Sequence, residues 1–545
     1  MKIKYLIVGL STLIGVSACT KLDQKLGGGV EVKTSSTGIA AALINGTYND
    51  FVGLAHSQDQ IFSLEENTTD ESLVPTRGGD WDDNGVWRVL HAHTWTAIHG
   101  QPISVFNGLG KMESDALAAL ASNPTPAQTD EALFLRSVAQ FYFLDLFGQV
   151  PYRPVAEYNS IKPAPVLAPA AAVDTLVATL TGIVSRNAIP AANGPNRASV
   201  DAAKFLLMKV LLNKGAYINR AAPTFADADM QQVVTLGNQL ITSGKYSLTP
   251  NYFDNFGPDN ATTSKESIWA WPNNGSSNIG GINAGGINAR WMMTLHYNSW
   301  DKNGNYGGAG WNGFSTVADF YNTFEGHGDA SANTVIDTTK DRRIGGRFYP
   351  GVTDQSGLRP GLLAGLQKNE AGVAEVDRHG NPLTFTPQVS LVETNPNTLE
   401  ITGIRIVKYP PDYNAYSGGN QRNQLQIFRY ADVLLMVAEA KLRQATPDAA
   451  GALALVNTLR TARGASAWTS VTLVNASNVD DPNTLLAERG RELYWESWRR
   501  QDLIRYGVFL KPWALKTADD PKYLLFAIPS DQLIANPNLK QNPGY

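Results

Sequence analysis

Trp81, Trp291, Tyr297, Trp300 and Trp311 stand in stretches rich in Gly, Asn and Asp. In such loops an aromatic side chain is less readily explained as core than it would be in a helix. Asp82 and Asp83 follow Trp81 directly, and Asn312 follows Trp311. This combination suits a flat, hydroxylated ligand. A pyranose presents a C–H face that can stack on an aromatic ring, and carboxylates and amides bond the hydroxyls at its edge. Core packing competes with that reading at each position taken singly, and Trp291 and Trp300 fit either role. Trp87 and Trp95 read as core, beside Val89, Leu90 and Ile98. Trp269 and Trp271 flank Ala270 in a strand-like run, which predicts that one of them faces inward.

Other chemistries find less support. A glycoside hydrolase needs two carboxylates at a set separation, and Asp80, Asp82, Asp83, Glu65 and Glu66 supply candidates. Spacing along the chain cannot give that separation, and the pattern of elements lacks a barrel or sandwich cleft. His91 and His93 are two apart and face different sides of a helix, so no metal site is expected there. No G-x-S-x-G nucleophile elbow occurs. The run Asp301–Lys302–Asn303–Gly304–Asn305 resembles the start of a calcium loop, but Tyr306 and Asn312 fall where Gly and Glu are required, so it reads as a polar turn. The Gly-rich run around 279–291 lacks the Lys-Ser/Thr of a phosphate loop. No cofactor is expected. Net charge is −4 with both signs well mixed, which argues against a nucleic-acid partner and weakly favours an uncharged ligand.

Several helices must position these residues. A helical pattern runs from Ile39 to Val52. Residues 131–147 are apolar on more than one face and predict a buried helix, stopped by Gly148 with Pro151 just beyond. Further helices are expected over 201–217 and from Asp227 to Ser243. Residues 65–95 suggest loops and short helices. Residues 250–425 carry Gly-Gly, Asn-Gly and Pro punctuation with little helical period, which predicts long excursions with a few short strands. Helices return at 426, with Tyr430, Val433, Leu434 and Val437 at helical spacing. Pro447 then suits the first turn of the next helix. Leu485 to Tyr506 predicts one more, dense in Arg and Glu, partly buried through Trp495 and Trp498.

The single cysteine, Cys19, can form neither an internal disulfide nor a zinc site. Lys2 and Lys4 precede an apolar stretch from Tyr5 to Val16 that is too short to span a bilayer. Val16–Ser17–Ala18–Cys19 looks like a bacterial lipobox, with cleavage before Cys19 and a diacylglycerol on its thiol. A plain secretory signal with an incidental Cys is the alternative. On this reading 1–18 is a signal peptide and 19–36 a Gly-rich tether. Residues 37–545 are then one domain, with a helical scaffold over about 37–250 and 426–545 and a loop-rich binding region over about 250–425.

The ordered set of motifs resembles the SusD/RagB family. It comprises T-R-G-G-D-W-D-D-N-G-V-W (76–87), L-H-A-H-T-W (90–95), L-H-Y-N (295–298), G-W-N-G-F (310–314) and D-F-Y (319–321). It continues through R-Y-A-D-V-L-L-M-V-A-E-A (429–440), A-L-A-L-V-N-T-L-R (452–460), E-R-G-R-E-L-Y-W-E-S-W-R-R-Q-D-L-I-R-Y-G (488–507) and the ending N-P-N-L-K-Q-N-P-G-Y (536–545). The resemblance implies a mainly α fold of four tetratricopeptide-like helix pairs, with an irregular ligand-binding region and a few short strands. It implies a lipid-anchored outer-membrane protein of polysaccharide utilisation, not an enzyme. Such proteins bind oligosaccharide or polysaccharide and pass it to a SusC-like TonB-dependent transporter. The family motifs around Trp81 and Trp311 tip both toward ligand binding. A lid of the same fold that captures peptide or protein, and a surface-anchored hydrolase, are the rival readings. A Cys19→Ala variant is expected to leave the membrane fraction. Its recovery in the membrane pellet with the signal removed would contradict the lipobox.

Overall fold

The computed structural model describes residues 36–276, 278–283, 286–299, 310–328, 336–346, 358–412 and 421–545. The expected signal peptide, nearly all of the tether, Trp300 and the turn after Asp301 lie outside them. Eight helices make the scaffold: α1 Ser36–His56, α2 Gly100–Ala121, α3 Pro126–Phe147, α4 Pro169–Arg186, α5 Val200–Ile218, α6 Asp227–Thr242, α7 Tyr430–Arg443 and α8 Ala449–Ala462. Each packs on the next in that order, giving four tetratricopeptide-like pairs. The α6–α7 contact closes over the whole of 243–429, so the loop-rich stretch is one excursion between neighbouring scaffold helices. Gly237 permits that closure. A Cβ there would lie 2.1 Å from Val437 Cγ2. No helix among the described residues is long and apolar enough to cross a membrane.

Local signals explain the ends. At α3, Thr125 and Gln128 form a capping box, Pro126 takes the first turn, and Gly148 closes the helix at φ +69°. From Phe134 to Phe147 every residue of α3 is buried, as its all-round apolarity predicts. At α8 the cap is Asp448, whose carboxylate accepts from Gly451 N at 2.8 Å. Pro447 therefore stands before the helix and not in its first turn. The C-terminal tail ties down the end of α3: Asn542 Nδ2 donates to Phe147 O at 2.9 Å and to Phe526 O at 2.6 Å.

Three expectations need correction. The chain at 425–429 is a strand, not a helix. Strand β1 (Ser267–Trp271) pairs antiparallel with β2 (Leu425–Arg429), so the excursion opens and closes as one ribbon. Trp269 and Trp271 are both buried, because residues two apart on a strand share a face. Both rings meet Phe51 of α1, at 5.2 and 6.2 Å. Finally, 485–506 is two helices, α9 Leu485–Leu493 and α10 Arg499–Arg505. Trp495 at φ +57° and Ser497 at φ +64° turn the chain sharply between them.

The Arg- and Glu-rich α9 is wholly buried, where its composition suggested a partly solvated face. Long-range partners make that tolerable. Glu492 accepts from Arg429 and Arg463 at 2.8 Å each and from Arg343 at 3.3 Å. Glu488 accepts from Arg343 at 2.7 Å, Arg460 at 2.6 Å and Arg491 at 2.7 Å. Glu266, just before β1, accepts from Arg429 at 2.9 Å and Arg463 at 2.8 Å. Burial alone would raise the Glu266 carboxyl, but Arg463 and Arg429 hold it down at about 2. Breaking a buried pair from one side leaves an uncompensated charge and costs about 3–5 kcal/mol. Glu492→Gln is expected to lose that much in urea denaturation. Lys111→Ala, at the exposed pairs with Asp50 and Asp115, is expected to lose less than about 1 kcal/mol. A Glu492→Gln protein as stable as Lys111→Ala would contradict this assignment.

Candidate functional site

A tight turn through Gly78 and Gly79 presents Asp80 and Trp81. Arg77 N donates to Asp80 O at 2.8 Å, Asp80 N returns a bond to Arg77 O at 3.0 Å, and Gly78 takes φ +63°. Thr76–Arg77 is anchored by parallel pairing with Val392–Glu393. Arg77 is buried and donates to Leu399 O at 3.0 Å and Thr402 O at 2.9 Å. Trp81 itself sits at φ +59°, an uncommon backbone for a Trp. Its ring is half-buried, edge-on to Trp87 at 5.3 Å and Phe314 at 5.5 Å. Its Nε1 donates to Trp311 O at 2.8 Å.

The 310–314 segment threads beneath 292–295. Trp311 N donates to Met292 O at 2.6 Å, and Asn312 N to Leu295 O at 2.9 Å. Gly313 lets the Trp81 ring lie on this backbone: a Cβ there would stand 2.3 Å from Trp81 Cε2. Trp311 is half-buried, with its ring 6.4 Å from that of Trp81 and tilted by 50°. Tyr297 completes the cluster. Its hydroxyl donates to Asp80, and burial together with that bond pushes the phenol up to about 12. It therefore stays a donor at neutral pH.

Arg378 comes from the turn of a distant hairpin and lays its guanidinium 3.8 Å over the Tyr297 ring. Asp377 forms that turn, accepting from His379 N and Asn381 N at 2.8 Å each. Arg378 Nε donates to Glu400 at 2.5 Å, and His296 Nε2 meets the other Glu400 oxygen at 2.7 Å. Burial lowers the His296 imidazole to about 4, so the ring is neutral. It then donates from Nε2 and accepts from Asn298 N at Nδ1, 3.0 Å away.

The carboxylates beside Trp81 each commit one oxygen. Asp80 accepts from Tyr297, Asp82 from Arg88 at 2.7 Å, and Asp83 from Trp87 Nε1 at 2.7 Å. The second oxygen of each has no hydrogen-bond partner among the described residues, and all three residues are exposed or half-exposed. The arrangement offers aromatic faces beside acceptors for hydroxyl groups.

The structure thus brings together Trp81, Asp82, Asp83, Tyr297 and Trp311. It removes two residues from the expected set. Trp291 lies wholly in the core, on a one-turn helix (Ala289–Met292) that the 310–314 segment covers. Asn312 is also buried, at φ +50°. Its Oδ1 accepts from Arg405 Nη2 at 3.0 Å, so its side chain is a joint and not a ligand contact. The hydrolase candidates Glu65 and Glu66 are buried as well. His91 and His93 each bond to backbone carbonyls, and no metal-holding group of three appears among the described residues. Sequence reasoning missed Arg378. Its D-R-H-G-N stretch signalled a turn, but nothing local linked it to Tyr297. Gly313→Ala is expected to displace the Trp81 ring, changing the near-ultraviolet circular dichroism and costing about 1–3 kcal/mol by overpacking. An unchanged spectrum would place Trp81 elsewhere.

The chain is similar to known proteins over most of its length. A model described as the SusD family matches residues 265–545. The starch-binding protein SusD of Bacteroides thetaiotaomicron is 24% identical over 519 residues, covering 89% of this chain and 85% of that protein. SusD-like protein P38 of Formosa agariphila is 33% identical over 123 residues, 22% of this chain, so the chain spans about a quarter (24%) of that relative. Surface glycan-binding protein A from Bacteroides uniformis superposes with a TM-score of 0.65 at 18% identity, over 93% of this chain and 99% of that one. Its namesake from Bacteroides thetaiotaomicron, solved in complex with laminarihexaose, gives 0.63 at 16% identity, over 92% and 98%.

Proposed function

The chain belongs to the SusD family, and from that premise we propose that it is a cell-surface glycan-binding protein that delivers oligosaccharide to a SusC-like TonB-dependent transporter. The observation that carries the reading is the half-buried group of Trp81, Tyr297 and Trp311 beside the carboxylate oxygens of Asp80, Asp82 and Asp83 that have no hydrogen-bond partner among the described residues. Aromatic rings take the C–H faces of sugars and the carboxylates take their hydroxyls. Arg378 covers one face of Tyr297, so a pyranose stacks on the other. The names of two similar proteins support the ligand class, one being starch-binding and the other solved with laminarihexaose. Trp300 belongs to the proposal as a sequence expectation. The protein is read as a binder and not a catalyst: Glu65 and Glu66 are buried, and Asp80, Asp82 and Asp83 each commit one oxygen, to Tyr297, Arg88 and Trp87. The lipid on Cys19 holds it at the outer membrane.

Each platform is expected to contribute about 1–3 kcal/mol to binding, by analogy with aromatic hot spots. Trp311→Ala and Tyr297→Ala should each weaken affinity about tenfold or more, at roughly 1.4 kcal/mol per tenfold, with little change in melting. Trp81→Ala should lose affinity and stability together, because its ring also packs on Trp87 and Phe314. Affinity electrophoresis on a polysaccharide panel identifies the glycan, and calorimetry on the variants reads the effect. Parent-like affinity in both Trp311→Ala and Tyr297→Ala would overturn the site.

A further inference from the structure

Away from the candidate site lies a small cavity of about 30 Å³, which is room for one or two water-sized species. It sits where α1, β2 and the turn between α9 and α10 meet, with Phe51, Ala55, Leu425 and Trp498 among its walls. Arg290 and Trp495 also line it. Arg290 is 4% exposed; its Nη2 donates to Ala55 O at 2.6 Å and its guanidinium stands 3.9 Å over the Phe62 ring. Its Nε and Nη1 have no hydrogen-bond partner among the described residues, and it makes no ion pair there. Trp495 is 3% exposed and edge-on to the same Phe62 ring at 5.7 Å. Its Nε1 is likewise unpartnered among the described residues.

The residues that carry these three nitrogen donors thus line one cavity, together with Gln426, whose Nε2 is also unpartnered among the described residues. Glu496 takes bonds from Lys408 and Arg429 on both oxygens. The Tyr409 hydroxyl accepts from Gln426 N at 3.0 Å. Among the buried arginines, Arg343, Arg429, Arg463, Arg489 and Arg505 each face at least one carboxylate, whereas Arg77, Arg405 and Arg500 make no ion pair among the described residues and bond mainly to carbonyl oxygens. Arg290 is of this second kind, with a cavity beside it. A buried guanidinium without a counter-charge is costly. Glu66 reaches Arg290 electrostatically without forming an ion pair among the described residues, and burial pushes its carboxyl up to about 8, against the charged form.

We propose that this cavity binds one small monovalent anion of the chloride class, held by Arg290 Nε and Nη1 and by Trp495 Nε1. An anion accepts from every donor at once, whereas a water must also find acceptors for its own two protons. The bound ion ties α1 to the sharp turn that carries Glu496. It thereby stiffens the junction between scaffold and excursion.

Bromide serves as the probe. Crystals grown with bromide in place of chloride are expected to show an anomalous peak between Arg290 and Trp495. In solution, melting is followed as potassium bromide replaces potassium gluconate at constant ionic strength. The parent is expected to show a saturable rise in Tm. Trp495→Phe keeps an aromatic ring but loses the indole N–H, and should need about tenfold more bromide for the same rise. Arg290→Met should lose the response; if it does not fold, Trp495→Phe and the anomalous map decide. Ordinary water density with no anomalous peak overturns the proposal. So does a bromide response that is absent in the parent or identical in Trp495→Phe.

Discussion

The Glu492 carboxylate accepts from Arg429, Arg463 and Arg343 together, and these three arginines come from three separate parts of the chain. Arg429 ends β2, Arg463 follows α8, and Arg343 belongs to the excursion. Glu266, at the start of β1, joins the same group. A carboxylate buried this deeply is tolerable only with such partners, so each charge obliges the others to be in place. The excursion enters and leaves the scaffold at Glu266 and Arg429, and that is where the ionic group binds it down. Hydrophobic burial supplies the bulk of the folding energy, but it is indifferent to register. The charged group is not, and it fixes how the loop-rich region sits on α7, α8 and α9.

From that junction the order passes outward through packed rings. Trp495, in the turn after α9, meets Phe314 at 6.2 Å and Phe62 at 5.7 Å. Phe314 in turn holds Trp81 and Trp87 edge-on at 5.5 Å each. The Trp81 ring is thus the outer end of an aromatic column rooted beside the ionic group. Its Nε1 bond to Trp311 O and the Gly313 contact fix its rotation. Tyr297 is braced from two sides, by Asp80 and by Arg378. A weak ligand contact gains from such rigidity, because little ordering entropy remains to be lost on binding.

Much of the scaffold was legible in the sequence because its signals are local. Thr125, Pro126 and Gly148 mark the ends of α3 within the chain itself. The all-round apolarity of 131–147 announces burial without reference to any partner. The α9 segment shows the converse. Its E-R-G-R-E pattern fits a solvated helix, and only the remote Glu266, Arg343, Arg429 and Arg463 reveal that it is buried. The break at Trp495 was hidden for the same reason, since a non-Gly residue at positive φ carries no compositional mark. At the site, loop context pointed to Trp81, Tyr297 and Trp311. Trp291 and Asn312 share that context yet serve as core and joint, because the 310–314 segment threads beneath 292–295. Arg378 reaches Tyr297 through a fold that no spacing along the chain encodes.

The proposed function depends above all on where the ligand sits. A crystal structure of the protein soaked with an oligosaccharide of the glycan it retains tests that most directly. A pyranose ring is expected to stack on at least one of Trp81, Tyr297 and Trp311, with a hydroxyl within hydrogen-bond reach of Asp80, Asp82 or Asp83. Density for the sugar at any other place on the protein, with these three rings bare, would contradict it.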